Sequence, residues 1–188
     1  ILTERQLQNV NRHTLLRTLM ADLMGQAALI VGGQELEISG GDAQGRIVLG
    51  FQELVTRTYP NLRMLRGVTY REEEIGRYLQ PAPALYAEDS ANLGEAEQEM
   101  LTYVQSNGRS GLRTTLLTLV TRFERKPYGW YLAAIQCILA RLCARGRVEV
   151  RLDGNLLEGA QLEAALRNTR NFDNVVLDPQ IDFTAAQV

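Results

Sequence analysis

The stretch from Trp130 to Leu157 restricts the possible folds more than any other part of the chain. WYLAAIQCILARLCAR places Leu132, Ile135, Leu139 and Leu142 at helical spacing. Gly146 ends that helix, and Arg141 and Arg145 stand in its last turns, where cations suit the helix dipole. Directly afterwards RVEVRL alternates, with Val148, Val150 and Leu152 on one face and Arg147, Glu149 and Arg151 on the other. Asp153-Gly154 then supplies a type I′ hairpin turn, with a return strand through Leu156 and Leu157. A helix at 130 to 145 that runs without a loop into a hairpin requires both to share one core.

The segments on either side complete a recognisable order. Helices are expected at 95 to 106 and 111 to 124, joined to the third by the tight connection RKPYGW, with Pro127 in the second turn position and Gly129 in the fourth. Tyr128 and Trp130 are read as packing residues that set the angle between two helices. Helix, helix, turn, helix and hairpin is the order of a winged helix-turn-helix unit. A helix at 159 to 168 and the strand FDNVVL close it.

The amino-terminal part reads differently. Thr3 as N-cap, Gln6 three residues on and Leu2 against Leu7 open a helix that runs to about Gly25 through Leu16, Leu19 and Leu23. ALIV, ELEIS and RIVLGF, separated by GGQ and GGDAQ, are expected to form a short antiparallel meander. A helix from 51 to 59 stops at Pro60, and Thr69 with Glu72 forms a second capping box ahead of Ile75 and Leu79. The fold class is therefore α+β and mainly helical: a small α+β unit at 1–80, a Pro-containing polar linker at 81–94, and a winged-helix-like domain at 95–188. The chain opens on Ile1 rather than Met and stops after PQIDFTAAQV, so both ends are expected to be cut points in a longer protein.

Catalytic signatures are missing where the chemistry would need them. Gly40 to Gly45 has the glycine spacing of a phosphate-binding loop, but Arg46 replaces its lysine and Ile47 its magnesium-holding hydroxyl. A hairpin loop ahead of a strand is the expectation there. His13 is the lone histidine and is read as a surface helix residue; no ligand spacing accompanies it. Cys137 and Cys143 diverge on one helix, and unpaired thiols favour a reducing compartment. Carboxylates at 72 to 74 are contiguous, so a divergent hydrolase built on them is the weakest alternative. No apolar run is long enough for a membrane span.

Charge distribution is more informative. Between Asn107 and Arg151 nine basic residues face two acidic ones, a local excess of +7 in a chain of net −2. If nucleic acid is contacted, Arg122, Arg125 and Lys126 at the turn and Arg147 and Arg151 on the wing are the candidates, acting on phosphates. Base reading is not expected, because the third helix offers only Gln136 and two arginines near its carboxyl-terminal end. Protein docking is the first reading and DNA contact without sequence preference the second.

The segments RFERKPYGWYLAAIQCILARLCARGRVEVRLDGNLL and VVLDPQIDFTAAQV resemble the downstream region of the large P-loop ATPases of bacteriophage-exclusion (BREX) systems, of the BrxC and PglY type. PYGW, the apolar helix, the strand with its glycine turn and the late DPQIDF carry the resemblance, whereas residues 1–95 match only in general character. It implies a cytoplasmic bacterial defence protein acting with other BREX proteins and with other domains of its parent ATPase. ATP and magnesium would be held elsewhere in that parent, leaving this chain non-catalytic and without a cofactor.

Overall fold

A computed structural model describes residues 2–38, 42–80 and 92–180. The chain divides into two compact units, Ile1–Pro60 and Asn61–Val188. Residues 61–80, which sequence order places with the amino-terminal unit, thus belong to the same body as the winged helix. Most of the linker expected at 81–94, and the end of the DPQIDF motif, lie outside the described residues.

In the first unit, helix α1 (Leu2–Gln26) precedes a hairpin of two-residue strands, β1 (Ile30–Val31) and β2 (Gln34–Glu35), paired antiparallel through Ile30↔Glu35 and Val31↔Gln34. The turn between them uses Gly32 and Gly33, both at positive φ, as a two-residue hairpin requires. Thr3 lies inside α1 rather than capping it. The expected third strand, RIVLGF, is instead part of helix α2 (Ala43–Thr58). The physical reason is visible in the residues. A short continuous apolar run does not distinguish strand from helix, but Ile47, Phe51, Leu54 and Val55 continue at helical spacing with no turn signal between. Asp42, in extended conformation, caps the helix by accepting a 2.7 Å hydrogen bond from Gly45 N–H. Arg46 donates to the carbonyls of Ile38 and Ala27, both at 2.8 Å, and so ties those two residues to α2.

The second unit opens with two 3₁₀ turns, Pro60–Leu65 and Glu72–Glu74, and the single-turn helix α3 (Ile75–Tyr78). The turn at Glu72 begins after Arg71 without a side-chain cap, so Thr69 does not form the expected capping box. The winged-helix elements follow: α4 (Glu95–Arg109), β3 (Thr114–Thr115), α5 (Leu116–Glu124), α6 (Leu132–Ala144), β4 (Val148–Leu152), β5 (Asn155–Leu156), α7 (Gly159–Arg167) and β6 (Val175–Pro179). Thr115 and Thr118 cap α5 reciprocally.

The hairpin turns at Asp153 (φ 49) and Gly154 (φ 82), the αL pair of a type I′ turn, as expected. The sheet order is β3-β6-β4-β5, antiparallel throughout. The return strand β5 is therefore a short edge. The strand that lies between β3 and β4 is β6, reached only after α7, so residues 157–174 form an excursion from the sheet that carries a helix.

At the centre lies α6. Residues 134–140 are buried without interruption, and Leu142 follows. On a helix of 3.6 residues per turn, seven successive buried positions leave no face exposed. α4 and α5 cover it in the manner of a helix-turn-helix, and β4 packs at its end; α3, the Glu72–Glu74 turn and α7 take the remaining surface. Ile75 of α3 is fully buried in this core.

Removing Ile75 should therefore be felt by the winged helix. Ile75→Ala is expected to lower its unfolding free energy by about 2–5 kcal/mol, read in urea through Trp130, the only tryptophan in the chain. Leu54→Ala in the first unit should leave the same transition in place; an unchanged midpoint for Ile75→Ala would mean that residues 61–80 are not part of this core.

Candidate functional site

The aromatic turn is built from the end of α5 outward. Tyr128 and Gly129 N–H groups donate to the Arg125 carbonyl at 2.9 and 3.1 Å, which places Pro127 third in the turn rather than second. Gly129 takes positive φ, and Trp130 N–H donates to Phe123 O at 2.8 Å. Phe123 and Trp130 stack with centroids 4.5 Å apart, and Tyr128 meets both rings edge-on. Trp130 Nε1 donates to the Asn61 carbonyl at 3.1 Å, and Asn61 N–H donates to Pro127 O at 3.0 Å. Tyr128 Oη donates to the Glu99 carboxylate, and burial followed by that hydrogen bond raises its pKa. Both rings are buried, so they pack rather than offer a stacking platform to bases. Tyr131 stays half-exposed, its hydroxyl accepting from Tyr70 N–H at 2.9 Å.

The basic excess divides once side chains are placed. Arg141 Nε lies 2.8 Å from Glu97 Oε1, and Arg145 Nη1 pairs with Glu97 Oε2. Glu97 is buried at the start of α4, where it also accepts from the N-cap Gly94 N–H at 3.2 Å. These two arginines are structural. Arg151 is paired on both sides, 2.7 Å to Glu149 and 3.3 Å to Asp178. The Arg151 guanidinium, helped by Gln180, holds the Glu149 carboxyl below its ordinary range. Arg147 is half-buried immediately before β4, where its carbonyl accepts from Gln180 N–H at 3.0 Å.

Arg122, Arg125 and Lys126 are exposed and together line one shallow depression of about 410 Å³ with Leu117, Thr118 and Thr121. The Arg122 guanidinium lies over the rings of Tyr128 (5.3 Å) and Tyr103 (5.8 Å), which fixes its position. No ion pair joins Arg125 or Lys126 to a carboxylate among the described residues. The five candidate cations thus separate into three that share a surface and two, Arg147 and Arg151, that lie outside it. Leu117, 46% exposed in the middle of this face, carries no sequence signal that would mark it, since its spacing also suits a core position.

The position that would enter a nucleic-acid groove is α6, and it is enclosed. Gln136, its one base-reading candidate, is 2% exposed and donates from Nε2 to Leu166 O of α7 at 2.7 Å. Among groups with chemical potential, burial pushes the Cys137 thiol up to about 11 and the Cys143 thiol to about 12, so both stay protonated at neutral pH. His13 is exposed on α1. Among the described residues no group of three His, Cys, Asp or Glu is placed to hold a metal, and no helix is long and apolar enough to cross a membrane.

The two classes of ion pair should behave differently on mutation. Glu97→Ala, which strips two arginines of a buried partner, is expected to destabilise the second unit by about 3–5 kcal/mol, whereas Glu149→Ala at the half-exposed pair should cost about 0–1 kcal/mol. Equal costs in chemical denaturation would contradict the structural role given to Glu97.

Residues 80–181 match the family model described as the winged helix-turn-helix domain of the BREX ATP-binding protein BrxC. Residues 1–54 match the model described as the BrxC 4th domain with six-stranded beta sheet. No solved structure was found to match the chain. With more than half of its length in the first of these models and the winged-helix architecture on the page, the chain belongs to the BrxC family of BREX ATP-binding proteins.

Proposed function

We propose that the winged-helix unit is a protein-docking module of a bacterial, cytoplasmic phage-defence assembly, joining its parent ATPase to other BREX proteins or to other domains of the same polypeptide. The enclosure of α6, including the side chain of Gln136, carries this reading: the surface with which a winged helix reads DNA is occupied by residues 72–78 and α7. A surface open to a partner is the outer face of α5. There an exposed leucine and two threonines are rimmed by Arg122, Arg125 and Lys126, an apolar centre with a polar border of the kind partner proteins use. The module is non-catalytic in this reading, with protonated thiols, contiguous carboxylates at 72–74, and ATP and magnesium held elsewhere in the parent.

A second reading, contact with DNA phosphates irrespective of sequence, is favoured by the same three cations, which no carboxylate among the described residues neutralises. Two measurements separate the readings. The full-length polypeptide carrying Arg125→Glu and Lys126→Glu is expected to bind other BREX proteins at least about tenfold more weakly, with ATPase activity unchanged. Gel shifts of wild type on two unrelated duplexes test the alternative: three phosphate contacts would give a log-log salt slope of roughly −2.7. Undisturbed assembly of the variant together with such a slope would overturn docking in favour of DNA.

Nucleotide is expected to play no part in this chain. Arg46 stands where a phosphate-binding loop has lysine, and its guanidinium is engaged by two carbonyls. Asp42 places a carboxylate at the α2 amino terminus, where a phosphate would sit. Calorimetry with ATP and magnesium should give no binding heat; a micromolar isotherm would end this reading.

A further inference from the structure

The first unit has almost no interior. Among its described residues only Gly50 is buried, and every residue of α1 whose side chain is described is exposed except Gly25. Yet the helices are apolar in register. Leu16, Leu19 and Leu23 fall at i, i+3 and i+7 on α1, and Ile47, Phe51 and Leu54 at i, i+4 and i+7 on α2, all between 44 and 64% exposed. α1 and α2 touch each other, and Leu29 lies against Gly50, so these stripes belong to one body. Continuous exposed apolar faces of this extent are uncommon on a finished protein surface and mark a site that something covers.

The family match indicates the cover. Residues 1–54 correspond to a domain described by a six-stranded sheet, whereas the described residues of this unit supply two strands of two residues each. An open sheet has an apolar face that must itself be buried, and a layer of amphipathic helices is the standard solution. We infer that the apolar stripes of α1 and α2 form the helical layer of the fourth domain, and that their occupant is the rest of the six-stranded sheet, contributed by the same polypeptide outside these residues. The inference rests on the family match and the exposure of the two stripes, and is independent of the docking role given to the winged helix.

Cysteine accessibility tests it. Leu19→Cys and Phe51→Cys are introduced singly into the 188-residue chain and into the full-length polypeptide, and maleimide labelling is followed under native conditions. The two native thiols give a slow background, since Cys137 is buried and Cys143 is pushed up to about 12. Both new cysteines should label rapidly in the 188-residue chain and on the order of 100-fold more slowly in the full-length monomer. Hydrogen exchange of the unsubstituted proteins supplies a readout independent of the variants, with α1 and α2 amides exchanging more slowly in the longer chain. Equal labelling in both contexts would overturn the inference. So would protection of the 188-residue chain that grows with concentration as a dimer forms, which would assign the face to a second copy.

Discussion

Seven successive buried positions on one helix, residues 134–140, oblige the rest of the second unit to close around it. A helix with one apolar stripe needs a single partner layer, but α6 needs cover on every side, and the helix-turn-helix partners α4 and α5 supply only part of it. The remainder comes from α3 and the turn before it on one side of the sequence and from α7 on the other. The excursion from the sheet through 157–174 carries α7, whose Leu166 carbonyl satisfies the buried amide of Gln136. A buried polar group left without that acceptor would cost roughly 1–3 kcal/mol.

Electrostatics is subordinate to this packing. The local excess of basic residues resembles a phosphate-binding footprint only while the chain is read in one dimension. In three dimensions Glu97 is drawn into the core between Arg141 and Arg145, and Arg151 is held between Glu149 and Asp178. Charges committed to internal partners are not available to a ligand at full strength. The residual positive surface includes the group on α5 and its following turn, fixed in part by the stacking of Arg122 over Tyr128 and Tyr103, beside the exposed Arg109 and Arg113.

The two units differ in how completely they satisfy their own apolar residues. The second encloses a contiguous core from Leu65 to Leu177, whereas the first holds its helices together through a hairpin, an N-cap and the Arg46 hydrogen bonds while leaving leucines and a phenylalanine outside. Family membership fits the division: the winged helix-turn-helix match covers residues 80–181 of the second unit, and the fourth-domain match covers residues 1–54 of the first.

Local signals wrote the elements whose ends have strong chemistry. Gly146, the alternation of RVEVRL and the Asp153-Gly154 pair define α6, β4 and the hairpin from neighbouring residues alone, because each is a short-range backbone preference. RIVLGF was not legible in that way, since a short apolar run suits either a strand or a helix and only the packing of the unit decides between them. The PYGW turn was legible as packing, though not its register, which depends on the carbonyl of Arg125. The candidate surface was half legible. Sequence alone placed Arg122, Arg125 and Lys126 at one turn, but whether a given arginine faces solvent or a buried carboxylate depends on residues about fifty positions away, as Glu97 and Arg145 demonstrate. Tertiary structure alone decided that α6 is closed to a groove, because the residues that cover it, 72–78 and 159–167, lie on either side of the motif in sequence and meet it only when the chain folds.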